Sequence, residues 1–317
     1  MADTEHFVRD DVRAFLDMLA QLDGPEMSEV GPQVAREQMR AMGQLAEREP
    51  RELAIIRDVQ VPGPAGDVPC RFYDARDERE AGPAVLFLHG GGFTIGDVEV
   101  YHAFCTELAA ELDLPVLSVD YRLAPEHPFP AAPDDCEAVA RWLAGSPAEL
   151  GREITGLVIT GDSAGGNLTI VTTNQLCADP AAVPVLVQAP LYPVADDVSE
   201  HESYHNFSDG YLLTGSAMAW FTAQYAANEA DKRNMPMLGT CANTPPTVVL
   251  TAGLDPLRDS GRNYAAHLIQ NGTDVTYMEM PGIIHGFITL RKAIPSGQND
   301  VAAFLGAVKA MLAHATK

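Results

Sequence analysis

"VITGDSAGGNLTI" (residues 158–170) is the stretch on which the reading of this chain turns. An apolar run leads in and a helix-like run leads out, with one hydroxyl, Ser163, set between Gly161 and Gly165. A strand that turns abruptly into a helix forces the turning residue into a strained backbone conformation. The residues two before and two after it then come very close, and side chains there would clash; the two glycines meet that demand. The corner presents the Ser163 Oγ at the carboxyl edge of a sheet, at a helix N-terminus whose dipole favours negative charge. Gly-x-Ser-x-Gly also occurs by chance as a tight loop, so the motif counts only in this strand–turn–helix setting.

The setting extends along the chain. Two amphipathic helical stretches come first, one through Val8, Val12, Phe15, Leu16, Leu19 and Leu22 and one through Val34, Gln38, Met42 and Leu45. Gly24-Pro25 and Gly31-Pro32 break the pattern. "LAIIRDVQVP" and "VPCRFYDA" read as two antiparallel strands. Short apolar runs follow at residues 84–90, 115–121, 157–163, 185–192, 247–253 and 275–281, with helical patterns between them. Unbroken apolar runs suit strands covered on both faces, and the alternation means a parallel sheet with crossover helices. The fold class is therefore α/β. Fifty-four residues separate Tyr192 from Thr247, far more than the dozen or so that a crossover needs. They are expected to form an insertion that packs with the N-terminal helices as one cap: residues 1–50 and 193–240 over a catalytic domain of residues 51–192 and 241–317.

A serine hydroxyl is a weak nucleophile and needs a base, and in this architecture an acid and then a histidine follow it in chain order. The strand "TVVLTAG" leads into "LDPLRDS", which offers Asp255, and "VTYMEMP" leads into "GIIHGF", which offers His285. His285 would take the Ser163 proton and return it to the leaving group, while Asp255 fixes the imidazole tautomer. Asp259 is a rival acid, but loop position favours Asp255; Asp259 reads as an acidic residue opening the next helix. The tetrahedral intermediate also needs preset donors. "LFLHGGGF" supplies them after a strand, because glycine lets backbone N–H groups approach a substrate oxygen. The Ala164 amide, next to the nucleophile, would add another. A dinucleotide fingerprint fails here, since Gly-x-Gly-x-x-Gly from Gly90 meets Ile95.

"HGGGF" (89–93), "YRLAPEHPFP" (121–130), "GDSAGG" (161–166), "DPLRD" (255–259) and "HGF" (285–287), in this order, resemble the hormone-sensitive-lipase family of α/β-hydrolases, the bacterial family IV esterases. The resemblance implies an eight-stranded, mostly parallel sheet, helices on both faces and a helical cap. It implies a triad of Ser163, Asp255 and His285, and oxyanion donors on Gly91, Gly92 and Ala164. It also implies hydrolysis of short-chain acyl esters through an acyl-enzyme, without cofactor or metal. A related amidase or lactonase, or a lipase of longer chains, is the alternative. For the pocket walls the candidates are Phe93 and Tyr192, just after strands, Ile284 and Phe287 beside the histidine, and Leu212 from the insertion.

Composition bounds the partners. The chain of 317 residues carries 21 Lys and Arg against 44 Asp and Glu, a net charge of −23, with only four lysines. Such a surface repels nucleic acid and anionic membranes, so neither is an expected partner. No apolar run approaches membrane-spanning length, and the acidic start does not read as a signal peptide. Five scattered cysteines without a CxxC spacing read as reduced thiols, so a cytoplasmic location is expected. A homodimer stays open. "HESYH" (201–205) matches the zinc-protease pattern His-Glu-x-x-His, but its surroundings are polar and loop-like with no third ligand placed downstream. A hydrolase fold turned into a ligand receptor is a further reading, weakened by the presence of all three triad positions.

Overall fold

The apolar runs become eight strands of one sheet. The computed structural model describes residues 6–316 apart from 23, 26, 229 and 240–242; Cys241 and residues 1–5 lie outside the described residues. The strands are β1 (Ile55–Gly63), β2 (Gly66–Asp74), β3 (Gly82–Leu88), β4 (Val116–Val119), β5 (Ile154–Asp162), β6 (Val185–Leu191), β7 (Thr247–Leu254) and β8 (Val275–Ile284). Their spatial order is β1-β2-β4-β3-β5-β6-β7-β8. β1 pairs antiparallel with β2 and β2 antiparallel with β4, while every later pair is parallel. This is the α/β hydrolase fold.

Period-two alternation explains why the central strands are apolar throughout. In β3, Val85 and Phe87 enter one core, while Ala84, Leu86 and Leu88 enter the other. The first core also takes Phe104, Cys105 and Leu108 of α3 (His102–Leu112) and Val301, Phe304 and Val308 of α9 (Gly297–Ala315). The second takes Cys136, Val139 and Leu143 of α4 (Ala131–Ala144) and Leu168 of α5 (Ala164–Ala178). Tyr264 and Leu268 of α8 (Arg258–Gln270) pack with Ile170 of α5. The final helix α9 is an addition to the sequence reading; its buried Val301, Phe304, Leu305 and Val308 recur at helical spacing.

Strand order sets the site. From β3 the chain goes outward to β4, then returns to β5 on the other side of β3. In open α/β sheets ligands bind at such a switch point, beyond the carboxyl ends of the strands. Leu88 at the end of β3 pairs with Gly161 near the end of β5, so the loops after both strands leave the sheet side by side.

The N-terminal helices are α1 (Asp10–Leu19) and α2 (Met27–Ala46). Gly31, at φ 78°, interrupts α2 at the expected Gly31-Pro32 break. Both helices are bound to the chain around β8. Arg9 donates to the Pro281 carbonyl at 2.8 Å and pairs with Asp300 at 2.6 Å. The Ala46 carbonyl accepts the amides of Lys292 and Ala293, and Arg291 Nε donates to Glu47 at 2.7 Å. The described residues of 193–246 include α6 (Glu202–Phe207) and α7 (Gly215–Tyr225).

The Arg291–Glu47 pair is buried, with 2% and 6% of the two residues exposed. Removing one partner leaves a charge in a dry environment, which costs about 3–5 kcal/mol. Arg291→Ala should therefore lose about that much stability in urea-unfolding curves. A loss below about 1 kcal/mol contradicts the assignment of the pair as the anchor of α2.

Candidate active site

The residue between β5 and α5 is Ser163, at φ 56° and ψ −117°. Its amide donates to the Leu191 carbonyl at 2.9 Å, and its carbonyl accepts the Asn167 amide at 3.0 Å. The flanking glycines are dictated by close approach. A Cβ on Gly161 would lie 2.2 Å from the Leu88 carbonyl oxygen and 2.5 Å from that of Gly165. One on Gly165 would lie 2.0 Å from the Leu88 oxygen. The two glycines crowd each other, as the motif suggests, and the end of β3 crowds both.

The loops after β5, β7 and β8 bring three distant side chains together. His285 Nε2 lies 2.9 Å from Ser163 Oγ, and His285 Nδ1 lies 2.6 Å from Asp255 Oδ2. The other Asp255 oxygen accepts the Leu257 amide at 2.8 Å. A fully buried carboxylate against Nδ1 holds the proton there, leaving the Nε2 lone pair facing the hydroxyl. Asp259 is occupied elsewhere: it accepts the Ser203 amide at 2.8 Å and pairs with Arg258 and Arg262.

Bonds to the carbonyls of two successive peptide planes fix the directions of the Gly91 and Gly92 N–H groups. A planar trans peptide points its C=O and N–H in opposite directions, so bonding one fixes the other. The Gly90 carbonyl accepts from His89 Nδ1 at 2.7 Å, which orients the Gly91 N–H. The Gly91 carbonyl accepts the amides of Thr94 and Ile95 at 3.0 and 2.9 Å, which orients the Gly92 N–H. Gly91 and Gly92 stand at φ 113° and 57°, a region glycine enters without strain. Among the described residues neither amide meets an acceptor. Ala164 opens α5, where amides have no intrahelical partner.

Behind the serine sits a carboxylate that the sequence reading passed over. Asp162 is buried and accepts the Gly90 amide at 2.7 Å and the Tyr101 hydroxyl at 3.0 Å, with the Tyr192 hydroxyl at 3.4 Å. Burial pushes its carboxyl up to about 6, against the opposing pull of His285 and the donors. Burial also raises the Tyr101 and Tyr192 hydroxyls well above their usual range, so both remain donors. His89, stacked on Tyr121 at 4.2 Å, is held down at about 4 by burial and stays neutral. The one available signal was an acid inside the apolar run "LVITGDS".

Ser163, Ala164, His285, Gly91 and Gly92 all border one cavity of about 1060 Å³. Its other walls are mostly apolar: Leu19, Met39 and Met42 from the N-terminal helices, and Leu213, Met218 and Phe221 from residues 193–246. Leu22, Leu45, Leu212 and Leu238 border it too and are exposed. Of the wall candidates, Phe93 and Leu212 border the cavity. Tyr192, Ile284 and Phe287 correct the expectation: each is fully buried in the core. The Tyr192 ring backs the imidazole at 4.6 Å and its hydroxyl turns to Asp162, while Phe287 packs behind Tyr192 at 5.7 Å. Ile284 ends β8 with its side chain in the sheet core.

The His-Glu-x-x-His stretch lies apart from this arrangement. His201 precedes the six-residue α6 and its Nε2 faces Asp196 at 3.4 Å, while Glu202 and His205 are exposed. Among the described residues no group of three or more His, Cys, Asp or Glu side chains could hold a metal ion.

The family model described as alpha/beta hydrolase fold matches residues 85–289. The ethyl acetate hydrolase of Pseudomonas putida is 36% identical over 248 residues, covering 76% of this chain and 78% of that protein. The carboxylic ester hydrolase LipN of Mycobacterium tuberculosis is 37% identical over 273 residues, covering 83% and 71%. A solved ester hydrolase from the metagenome of Lake Arreo superposes with a TM-score of 0.90 at 34% identity, covering 98% of this chain and 100% of that one. Fold, motif order and these matches agree: the chain belongs to the α/β hydrolase fold family, among the hormone-sensitive-lipase-like family IV carboxylic ester hydrolases.

Proposed function

We propose that this ester hydrolase cleaves small acyl esters through a covalent acyl-enzyme on Ser163, with His285 as the proton carrier and Asp255 as its orienting acid. The observation that carries the reading is the pair of contacts on opposite sides of one imidazole, 2.9 Å to the hydroxyl and 2.6 Å to the buried carboxylate. Ser163 Oγ attacks the ester carbonyl as its proton passes to His285 Nε2. The carbonyl π pair becomes an oxyanion held by the amides of Gly91, Gly92 and Ala164. The intermediate collapses, the C–O bond to the alcohol breaks, and the alkoxide leaves with the proton from Nε2. Water repeats the sequence, giving its proton to Nε2 and releasing the acid and the free serine.

We read residues 1–50 and 193–240 as a cap over a catalytic domain of residues 51–192 and 241–317. Support comes from the cavity, whose roof takes residues from α1, α2 and α7 and whose floor holds the serine and the histidine. Its volume and mostly apolar walls suit an ester small enough to be enclosed. Among the described residues no helix is long and apolar enough to cross a membrane. Cys70, Cys105 and Cys136 are buried free thiols, and a cytoplasmic location fits them.

Ser163→Ala should fold, show no turnover and take no fluorophosphonate label; retained turnover moves the nucleophile elsewhere. Asp255→Asn, which offers Nδ1 the wrong partner, should lower kcat by about 10⁴-fold. A fall of less than about tenfold leaves the carboxylate without its orienting role.

The pH profile is a separate test. Below a pH of about 6 the Asp162 carboxyl becomes protonated and loses acceptor capacity for the Gly90 amide and the two tyrosines. Activity should fall on the acid side as Asp162 takes up its proton. In Asp162→Asn the plateau should drop and the acid limb should change position. A limb that stays in place rules out Asp162 as its source.

A further inference from the structure

Residues 92–97, which complete the glycine loop after β3, are gripped by two helices from outside the sheet. On α7, Phe221 covers Gly92 so closely that a Cβ there would fall 2.2 Å from its ring. One turn on, Tyr225 stacks on Phe93 with centroids 3.8 Å apart and planes 6° from parallel. On α2, Arg36 Nε donates to the Thr94 carbonyl at 2.8 Å and its Nη2 to the Ala124 carbonyl at 2.9 Å. The Glu126 carboxylate takes Nη1 and Nη2 at 2.9 and 2.7 Å. One turn on, Arg40 pairs with Asp97 at 2.5 Å.

The Arg36 contact leads by peptide planes to an N–H in the cavity. The Thr94 carbonyl shares its plane with the Ile95 N–H, so a donor pulling on that oxygen turns the N–H the other way. The Ile95 N–H donates to the Gly91 carbonyl at 2.9 Å, and the Gly91 carbonyl shares its plane with the Gly92 N–H. Bonded polar groups in such a chain polarise and align one another. A planar guanidinium can hold two carbonyls and a carboxylate at once, whereas a lysine ammonium cannot match that fork. The same helix turns Ala35, Met39 and Met42 to the cavity, so α2 touches substrate space with one face and the loop with another.

We infer that Arg36 is a positioning residue that aims the Gly92 amide at the oxyanion through the Thr94–Ile95 and Gly91–Gly92 peptide planes. The inference rests on the esterase reading above, in which that amide stabilises the tetrahedral intermediate. It makes the N-terminal helix a working part of the oxyanion site as well as a wall of the cavity.

The test compares Arg36→Ala, Arg36→Lys and Glu126→Gln, which leaves the Thr94 contact in place. Three quantities are measured: kcat, KM for a small acyl ester, and affinity for an alkylboronic acid, which adds to serine as a tetrahedral adduct. Misaimed donors predict that kcat and boronate affinity fall together by at least about tenfold in both Arg36 variants, with KM within about twofold. Glu126→Gln should stay within about threefold on every measure. Methylguanidinium should restore part of the Arg36→Ala rate, and methylammonium should not. Wild-type kcat in either folded Arg36 variant overturns the inference, as does an equal loss in Glu126→Gln or a change confined to KM. Should Arg36→Ala fail to fold, Arg36→Lys decides. Turnover by Ser163→Ala would instead sink the esterase reading itself, whatever the Arg36 variants do.

Discussion

The end of β3 and the corner after β5 meet with no room for a side chain between them. The Leu88 carbonyl sits where a Cβ on either Gly161 or Gly165 would have to go. This contact brings the glycine loop after β3 beside the serine after β5, because the two strands are neighbours at the switch in strand order. Gly91 and Gly92, the proposed loop donors, and Ser163, the proposed nucleophile, stand more than seventy residues apart in the chain, yet backbone packing brings them side by side. Strain collects around the same point. Phe93, Ser163, Tyr192 and Leu212 all carry positive φ, and all lie in or beside the site.

The carboxylate behind the corner completes this arrangement. Asp162 joins the first loop amide to two tyrosines, so the residue before Ser163 also tethers the glycine loop. A charged group in the interior is costly unless it is hydrogen-bonded, and here its donors come from three elements that must be in register. The Asp255–His285–Ser163 contacts on the other side follow the same logic at longer range. Asp255 and His285 stand on loops after β7 and β8, each strand parallel to its neighbour and ending on the same side of the sheet.

Much of this was legible because the signals are local. Six apolar runs, the Gly-x-Ser-x-Gly corner and the glycine run after β3 each depend on a few adjacent residues, and the order of serine, acid and histidine follows from reading them along the chain. The long interval after Tyr192 announced an insertion without describing it. What escaped was set by packing. Tyr192, Ile284 and Phe287 neighbour the site in sequence, but side-chain direction turns them into the core. Conversely, Met39, Met42, Met218 and Phe221 reach the cavity from remote helices that carry no motif. Arg36 is one of 17 arginines in the chain, and nothing in its local sequence connects it to Thr94. Asp162 stood in plain view, yet its role depends on Tyr101 and Tyr192, whose approach only the fold reveals.

The central claim is that an ester's acyl group passes onto the hydroxyl at this corner before water removes it. Rapid acid quench of the enzyme during steady-state turnover of a small acyl ester, followed by peptide mass spectrometry, tests it directly. The account predicts an added acyl mass on the peptide that carries Ser163, formed at a rate no slower than kcat. Full turnover with every Ser163 peptide unmodified, even when deacylation is slowed with a bulky acyl group, or an adduct on another residue, would contradict it.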